Sequence, residues 1–154
     1  HDILRPILDG LAGDDVEVVV GLGADPADLG DLAANIRVER YVPMSRLLPA
    51  SDVVIFHAGS GTMLSALAAG IPLVMVPLAA DQPENAERGA AAGVGRVILP
   101  GELTPGAARY AVDDVLGDPR YRVRARAVAV EIAAMPGPAE AVERIRQIAE
   151  AASA

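Results

Sequence analysis

Five residues in the run VVIFHAGSGTMLSALAAGIPLVMVPLAADQPENAER, residues 53–88, have the types and spacing of a ligand site. His57 closes an apolar run, and Gly59, Ser60, Gly61 and Thr62 follow it at once. A strand that passes through small residues into a helix makes an anion site. The first helical amides have no internal partners, and the macrodipole adds partial positive charge there. Gly59 and Gly61 let the backbone approach a ligand, Ser60 and Thr62 carry hydroxyl donors, and His57 adds a ring nitrogen. The chemistry suggested is the holding of a phosphate. Taken alone, the segment also admits a plainer reading, a strand–helix turn capped by Ser60 with a buried His57 satisfied by backbone.

Three rival motifs fail on the residues. A Walker A loop needs a Lys before its Ser or Thr, and all 13 basic residues here are Arg. A dinucleotide fingerprint starting at Gly21 meets Pro26 where its third glycine belongs. The order Ala58-Gly59-Ser60-Gly61-Thr62 approaches a nucleophile elbow, but that triad needs a later histidine and none follows His57.

A second cluster, AADQPENAER at residues 79–88, follows the next apolar run. Asp81 and Gln82 offer acceptors and donors together, which suits vicinal sugar hydroxyls. The plainer role for Asp81 is a cap on a helix opening at Pro83. The third cluster is RYVPM, residues 40–44, where Tyr41 could stack on a base and the backbone at Val42 and Pro43 could meet a base edge. Its plainer reading is a strand end broken by Pro43.

The elements that must carry these clusters alternate. The sequence predicts a helix at Ile3–Leu11, strands at 16–22, 36–42, 52–57, 72–78 and 95–100, and helices at 60–69 and 83–93. Residues 25–35 read as a polar loop and 44–50 as a helical turn. Met63, Leu64, Leu67 and Ala68 are expected on one face of the 60–69 helix, with Gly70 as its stop. Thr104-Pro105 and Asp118-Pro119 read as caps followed by proline at the first helical position, and Pro138 opens a last helix. Arg120, Arg122, Arg124 and Arg126 spread around a helix and read as a solvated surface. Strands alternating with helices imply an α/β fold with a Rossmann-like parallel sheet and helices on both faces. Loops at the C-terminal ends of neighbouring strands then share one crevice, bringing Asp81 and Gln82 near His57–Thr62.

Such a sheet is organised around a central first strand, whereas this chain opens in a helix. The expectation is that a central strand is absent from residues 1–154, which form one domain. The 52% hydrophobic content supports a sizeable core, and no apolar run approaches membrane-spanning length. A net charge of −8 disfavours nucleic acid and anionic membrane surfaces. With no Cys, disulfides, thiolate catalysis and zinc–thiolate sites are excluded. Without Lys, Schiff-base chemistry is excluded too. No secretory leader is recognisable, and a cytoplasmic location is expected.

Together the order His, Gly-x-Gly-Thr, Ala-Gly-x-Pro and Asp-Gln resembles the donor-binding half of GT-B-fold, family 1-like glycosyltransferases. That group contains UDP-glucuronosyltransferases, plant secondary-metabolite enzymes and bacterial antibiotic-tailoring enzymes. YVPM, LTPGAARYAVDDVLGDPRYR and MPGPAE are most similar to actinobacterial enzymes that attach deoxysugars to polyketide-type aglycones. The resemblance implies that His57, Gly59, Ser60, Gly61 and Thr62 bind a donor diphosphate and Asp81 and Gln82 the sugar. It places Tyr41, Val42 and Pro43 by the base and Ser65 by the ribose. Ser65 stands where plant relatives carry a ribose-binding Glu, which would suit a thymidine diphosphate donor. Ala58 stands where many relatives have Gly or Cys.

The function implied is the donor half of an inverting, metal-independent transferase. It would move a (deoxy)sugar from a TDP- or UDP-sugar to a small-molecule natural product, with no cofactor. No catalytic residue is expected in this chain, because the base of such enzymes sits in an N-terminal acceptor domain absent from residues 1–154. The isolated chain is expected to bind donor without catalysing. Its expected partners are a nucleotide sugar and, through that other domain, the acceptor; a homodimer is left open. Two rival readings are the donor subunit of a two-chain glycosyltransferase and a non-catalytic nucleotide-binding module.

Overall fold

The computed structural model describes residues 3–21 and 29–152. Part of the 25–35 loop, the end of the expected 16–22 strand and the Gly23–Pro26 stretch lie outside the described residues. The elements run α1 (Leu4–Leu11), β1 (Val18–Gly21), β2 (Ile36–Glu39), α2 (Met44–Leu47), β3 (Val54–Phe56), α3 (Ser60–Ala68) and β4 (Leu73–Met75). They continue with α4 (Gln82–Ala91), β5 (Gly95–Val97), α5 (Pro105–Gly117), α6 (Pro119–Ala133) and α7 (Pro138–Ala152). Every expected element is present, and each strand is shorter than its apolar run. Two of these shortenings matter for function. His57 lies beyond the end of β3, and β2 stops at Glu39, so Tyr41–Pro43 form a connecting segment rather than a strand end.

All pairing is parallel. β4 is central to one sheet in the order β3-β4-β5, with Val54 opposite Leu73 and Leu73 opposite Gly95. β1 and β2 form a separate pair, with Val18 opposite Ile36. Among the described residues, no strand joins β1 to β3. The sheet is therefore open where an absent central strand was expected.

The β4 run shows why the segment is continuously apolar. Leu73 and Met75 pack into one cluster with Leu48, Ala58, Ala66, Leu67, Ile71, Ala86, Val94 and Ala125. Val74 and Val76 face the other way, into Ile7, Leu11, Ile98 and the α5 residues Ala108, Ala111, Val112 and Val115. Both faces of a parallel sheet are covered, so alternation of polar and apolar residues disappears. Leu73 is fully buried, and its truncation to Ala is expected to cost about 2–5 kcal/mol.

The α3 helix departs from expectation. Its buried face is Ala66 and Leu67 with Met63 packed alongside, whereas Leu64 is 58% exposed and Ala68 is at the surface. α3 packs against α6, where fully buried Ala125 meets the same cluster. Met63 of α3 and Val128 and Ile132 of α6 pack on that cluster as well. Gly70, at φ 70°, ends the helix as expected.

Arg120, Arg124 and Arg126 are exposed, as expected of the arginine run, and Arg122 is half-buried, but the run also makes contacts that the sequence did not suggest. Arg122 donates to the Asp52 carbonyl at 2.8 Å and to its carboxylate at 2.9 Å, at the entry to β3. Arg124 donates to the Ala92 carbonyl at 3.1 Å, at the end of α4. The Arg126 stem covers Gly70. The side chains that spread around α6 thus tie it to three neighbouring segments.

Thr104 and Asp118 cap α5 and α6 through bonds from the Ala107 and Arg120 amides. Asn35 closes α1, donating to the Leu11 carbonyl at 2.8 Å and accepting from the Gly13 amide at 2.9 Å. Arg96 of β5 donates to Asp114 of α5 at 2.9 Å, Tyr121 of α6 donates to the same carboxylate at 3.0 Å, and the guanidinium lies over the Tyr110 ring. The bonds from Arg96 and Tyr121 hold the Asp114 carboxyl below the usual range. Burial and the bond to Asp114 push the Tyr121 phenol up. No helix among the described residues is long and apolar enough to cross a membrane.

Candidate functional site

The β3–α3 turn is built around Ala58. Its side chain is fully buried, and its backbone is left-handed at φ 62°. Ala80, in the β4–α4 turn, has φ 55°. These are the two non-glycine residues with positive φ among the described residues, and each lies in one of the two site loops. Backbone of this kind costs energy in an L-residue and gathers where a turn must aim its groups.

Beyond Ala58 the chain opens at once. His57 is exposed, and its ring meets Phe56 edge-on at a 6.4 Å centroid distance. Gly59 is the cap position of α3, with no side chain capping the helix. Ser60 is the first helical residue, so it is not the cap, and His57 is not buried. Both features of the plain-turn reading are therefore absent. A Cβ on Gly59 would lie 2.6 Å from His57 Nε2. This glycine makes room for the imidazole. Nothing lies within 4 Å of a Cβ position at Gly61, which is exposed, so the space beside this residue is open. Thr62 is half-buried on the first turn.

The β4–α4 turn brings in the second cluster. Asp81 occupies the cap position of α4, but its side chain makes no capping bond. Its Oδ2 accepts instead from Asn85 Nδ2 at 3.0 Å. The same Asn85 nitrogen donates to the Ala58 carbonyl at 3.1 Å. The two loops are therefore bonded to each other through one carboxamide. Gln82 Oε1 accepts from the Leu78 and Ala79 amides at 2.8 and 3.1 Å. Its acceptor end is committed to the loop, and its NH2 end remains the donor. Of the acceptors and donors expected of Asp81 and Gln82 together, Gln82 keeps its NH2 donor and Asp81 keeps its Oδ1 acceptor.

The third cluster rests on the second sheet. Tyr41 is 81% exposed, and Val42 and Pro43 are half-buried. Pro43 caps α2, its carbonyl accepting from the Arg46 and Leu47 amides. The turn after α2 sends Leu48 into the core cluster that holds Ala58. Ser65 donates to the Gly61 carbonyl at 2.8 Å, one turn back in α3, so its hydrogen is committed and its lone pairs are left. Asn85 is the site residue that the sequence reading missed. Its i+4 spacing from Asp81 was the available signal; the Ala58 contact spans 27 residues.

Comparison with known proteins agrees with this geometry. Residues 5–148 match the family described as erythromycin biosynthesis protein CIII-like, C-terminal domain. The chain is 38% identical over 143 residues to 4'-demethylrebeccamycin synthase of Lentzea aerocolonigenes, covering 93% of this chain and 34% of that protein. It is 35% identical over 144 residues to 10-deoxymethynolide desosaminyltransferase of Streptomyces venezuelae, with 93% and 34% covered. The crystal structure of glycosyltransferase VinC in complex with DTDP superposes at a TM-score of 0.88 with 31% identity, covering 96% of this chain and 37% of that one. Spinosyn rhamnosyltransferase SpnG complexed with thymidine diphosphate gives a TM-score of 0.85 at 32% identity, with 94% and 40% covered. The chain spans about a third of the length of these curated relatives. With parallel sheets, helices on both faces and a match over residues 5–148, it belongs to the family of erythromycin biosynthesis protein CIII-like C-terminal domains, the C-terminal domains of antibiotic glycosyltransferases.

Proposed function

We propose that this domain holds the nucleoside diphosphate sugar of an inverting, metal-independent glycosyltransferase, with thymidine diphosphate or uridine diphosphate as the carrier and a small natural product as the acceptor. The observation that carries the reading is the β3–α3 turn. An exposed imidazole, the open space beside Gly61 and an uncapped helix N-terminus lie in one turn, which Asn85 ties to Asp81, the residue before Gln82. The relatives named as desosaminyl transferases and the neighbours bound to thymidine diphosphate support the choice of ligand.

In the proposed reaction, an acceptor hydroxyl oxygen attacks the anomeric carbon while the bond from that carbon to the diphosphate oxygen breaks. The electron pair leaves with the nucleoside diphosphate, and the acceptor proton passes to a base outside this chain. The α3 N-terminus and His57 stabilise the charge growing on the leaving group. Asp81 and Gln82 hold sugar hydroxyls, Tyr41–Pro43 the base, and Ser65 the ribose. Further polypeptide carries the acceptor domain and supplies a strand between β1 and β3, and the protein works in the cytoplasm. The chain alone binds donor and does not turn over.

The test is calorimetric titration with TDP, UDP and GDP, with NAD as control. Binding of TDP or UDP that His57→Ala weakens by ~1–3 kcal/mol supports the reading, the scale of a charge-assisted hydrogen bond. Binding unchanged in His57→Ala removes the imidazole from the phosphate site.

A further inference from the structure

The β3–α3 and β4–α4 loops are coupled by one side chain. Asn85 Nδ2 donates to the Ala58 carbonyl at 3.1 Å and to Asp81 Oδ2 at 3.0 Å. Both partners are acceptors only, so the carboxamide must present its NH2 group to them, and both hydrogens are used. We infer that Asn85 is the positioning residue of the donor site, aiming the diphosphate-binding turn and the sugar-binding carboxylate together. This rests on the donor-binding reading above.

Two geometric facts carry it. A peptide unit is planar and trans, so the Ala58 carbonyl and the Gly59 amide hydrogen point in opposite directions from one plane. Holding the carbonyl against α4 turns the Gly59 N–H away from α4. The hold is exerted on a residue that strongly resists its conformation, since Ala58 is left-handed at φ 62°. A bond at its carbonyl is a restraint that an L-residue needs there and a glycine would not. At the other end, Asn85 engages Asp81 Oδ2. That leaves Oδ1 as the oxygen for a ligand hydroxyl and fixes the carboxylate plane. With both its hydrogens committed, Asn85 has none left to donate to a ligand and acts through both loops.

A purely structural role for Asn85 would lower stability and weaken all ligands alike. A positioning role separates them. The test measures TDP and TDP-glucose affinities for the protein as expressed from its gene, in the parent, Asn85→Ala, and Ala58→Gly/Asn85→Ala. In parallel, the ligand-free chain is followed by the Gly59 amide resonance. Asn85→Ala should weaken TDP about 5-fold, the size of one neutral hydrogen bond. It should also reduce the preference for TDP-glucose over TDP, and shift the Gly59 resonance. Ala58→Gly in that background should restore TDP affinity, because glycine adopts the left-handed turn without restraint, while the sugar preference stays reduced. Equal losses for both ligands that Ala58→Gly does not rescue would overturn the inference. So would an unmoved Gly59 resonance. A parent that binds TDP while Asn85→Ala binds it identically overturns this inference and leaves the donor reading standing. A parent that binds neither ligand overturns both.

Discussion

The imidazole of His57 lies over Gly59 so closely that a Cβ on residue 59 would sit 2.6 Å from Nε2. The two residues are one device. Replacing Gly59 by Ala forces the ring from its seat without changing the charge or the helix. Gly59→Ala should therefore weaken TDP by about the same ~1–3 kcal/mol as His57→Ala. The double variant should lose little more than either single change. Titration of the four proteins completes the cycle. Additive losses would show that Gly59 serves the ligand directly.

Gln82 separates loop building from ligand binding. Its Oε1 holds the Leu78 and Ala79 amides. Gln82→Glu keeps those acceptors and removes the NH2 donor, whereas Gln82→Ala removes both. The expected result is an unchanged Tm for Gln82→Glu with a reduced preference for TDP-glucose over TDP. Gln82→Ala should lose both Tm and preference. Thermal unfolding and titration of the two variants decide it, and an unaltered preference in Gln82→Glu would take the side chain out of the sugar site.

The Arg96–Asp114–Tyr121 group gives the fold a defined pH response. Hydrogen bonds from Arg96 and Tyr121 hold the Asp114 carboxyl below its ordinary range. Its stabilising effect is present above the unfolded-state value of about 3.9 and is lost as pH falls through the lower folded value. Tyr121 is raised, chiefly by burial, so its contribution is present below about pH 10 and is lost as pH rises through the folded value. Asp114→Asn should therefore lower Tm at neutral pH, with the gap to the parent narrowing as pH falls below about 3.9 and through the lower folded value. Tm recorded across pH for both proteins tests this, and a gap constant with pH would remove the charge from the explanation.

What was legible in the sequence follows from what is local. The β4 run, the caps at Thr104 and Asp118 and the stop at Gly70 depend on a few adjacent residues, and each was readable. So was the His57–Thr62 turn, because glycine, hydroxyl and helix start are contiguous. The rest depended on what other elements bring. Leu64 looked like core, yet α3 turns Ala66 and Leu67 inward and leaves Leu64 58% exposed. Arg122 and Arg124 read as solvated, and Arg124 is exposed, yet both also donate to carbonyls far along the chain, at Asp52 and Ala92. Asn85 lay inside a quoted motif without a role, because Ala58 reaches it only through the parallel packing of β3 beside β4.

The open sheet makes the last prediction. Val18 donates to the Asn35 carbonyl at 2.9 Å, toward β2. Val54 donates to Pro72 at 3.2 Å and Phe56 accepts from Val76 at 2.8 Å, both toward β4. Alternation along a strand turns the backbone groups of Val19 and Ile55 to the other side, into the space between β1 and β3. Meanwhile Val18, Val53 and Ile55 pack on one shared apolar cluster, so the two edges are held over a common core without pairing. Within residues 1–154 alone, the Val19 and Ile55 amides should exchange with solvent far faster than that of Val74 in the centre of β4. In a longer polypeptide that supplies a strand to this gap, both should become as protected as Val74, and Tm should rise. Hydrogen exchange followed residue by residue in the two polypeptides reads this directly. Protection of Val19 and Ile55 that is already complete in residues 1–154 would mean that the edges close on each other in solution, and the proposed strand would have no place to enter.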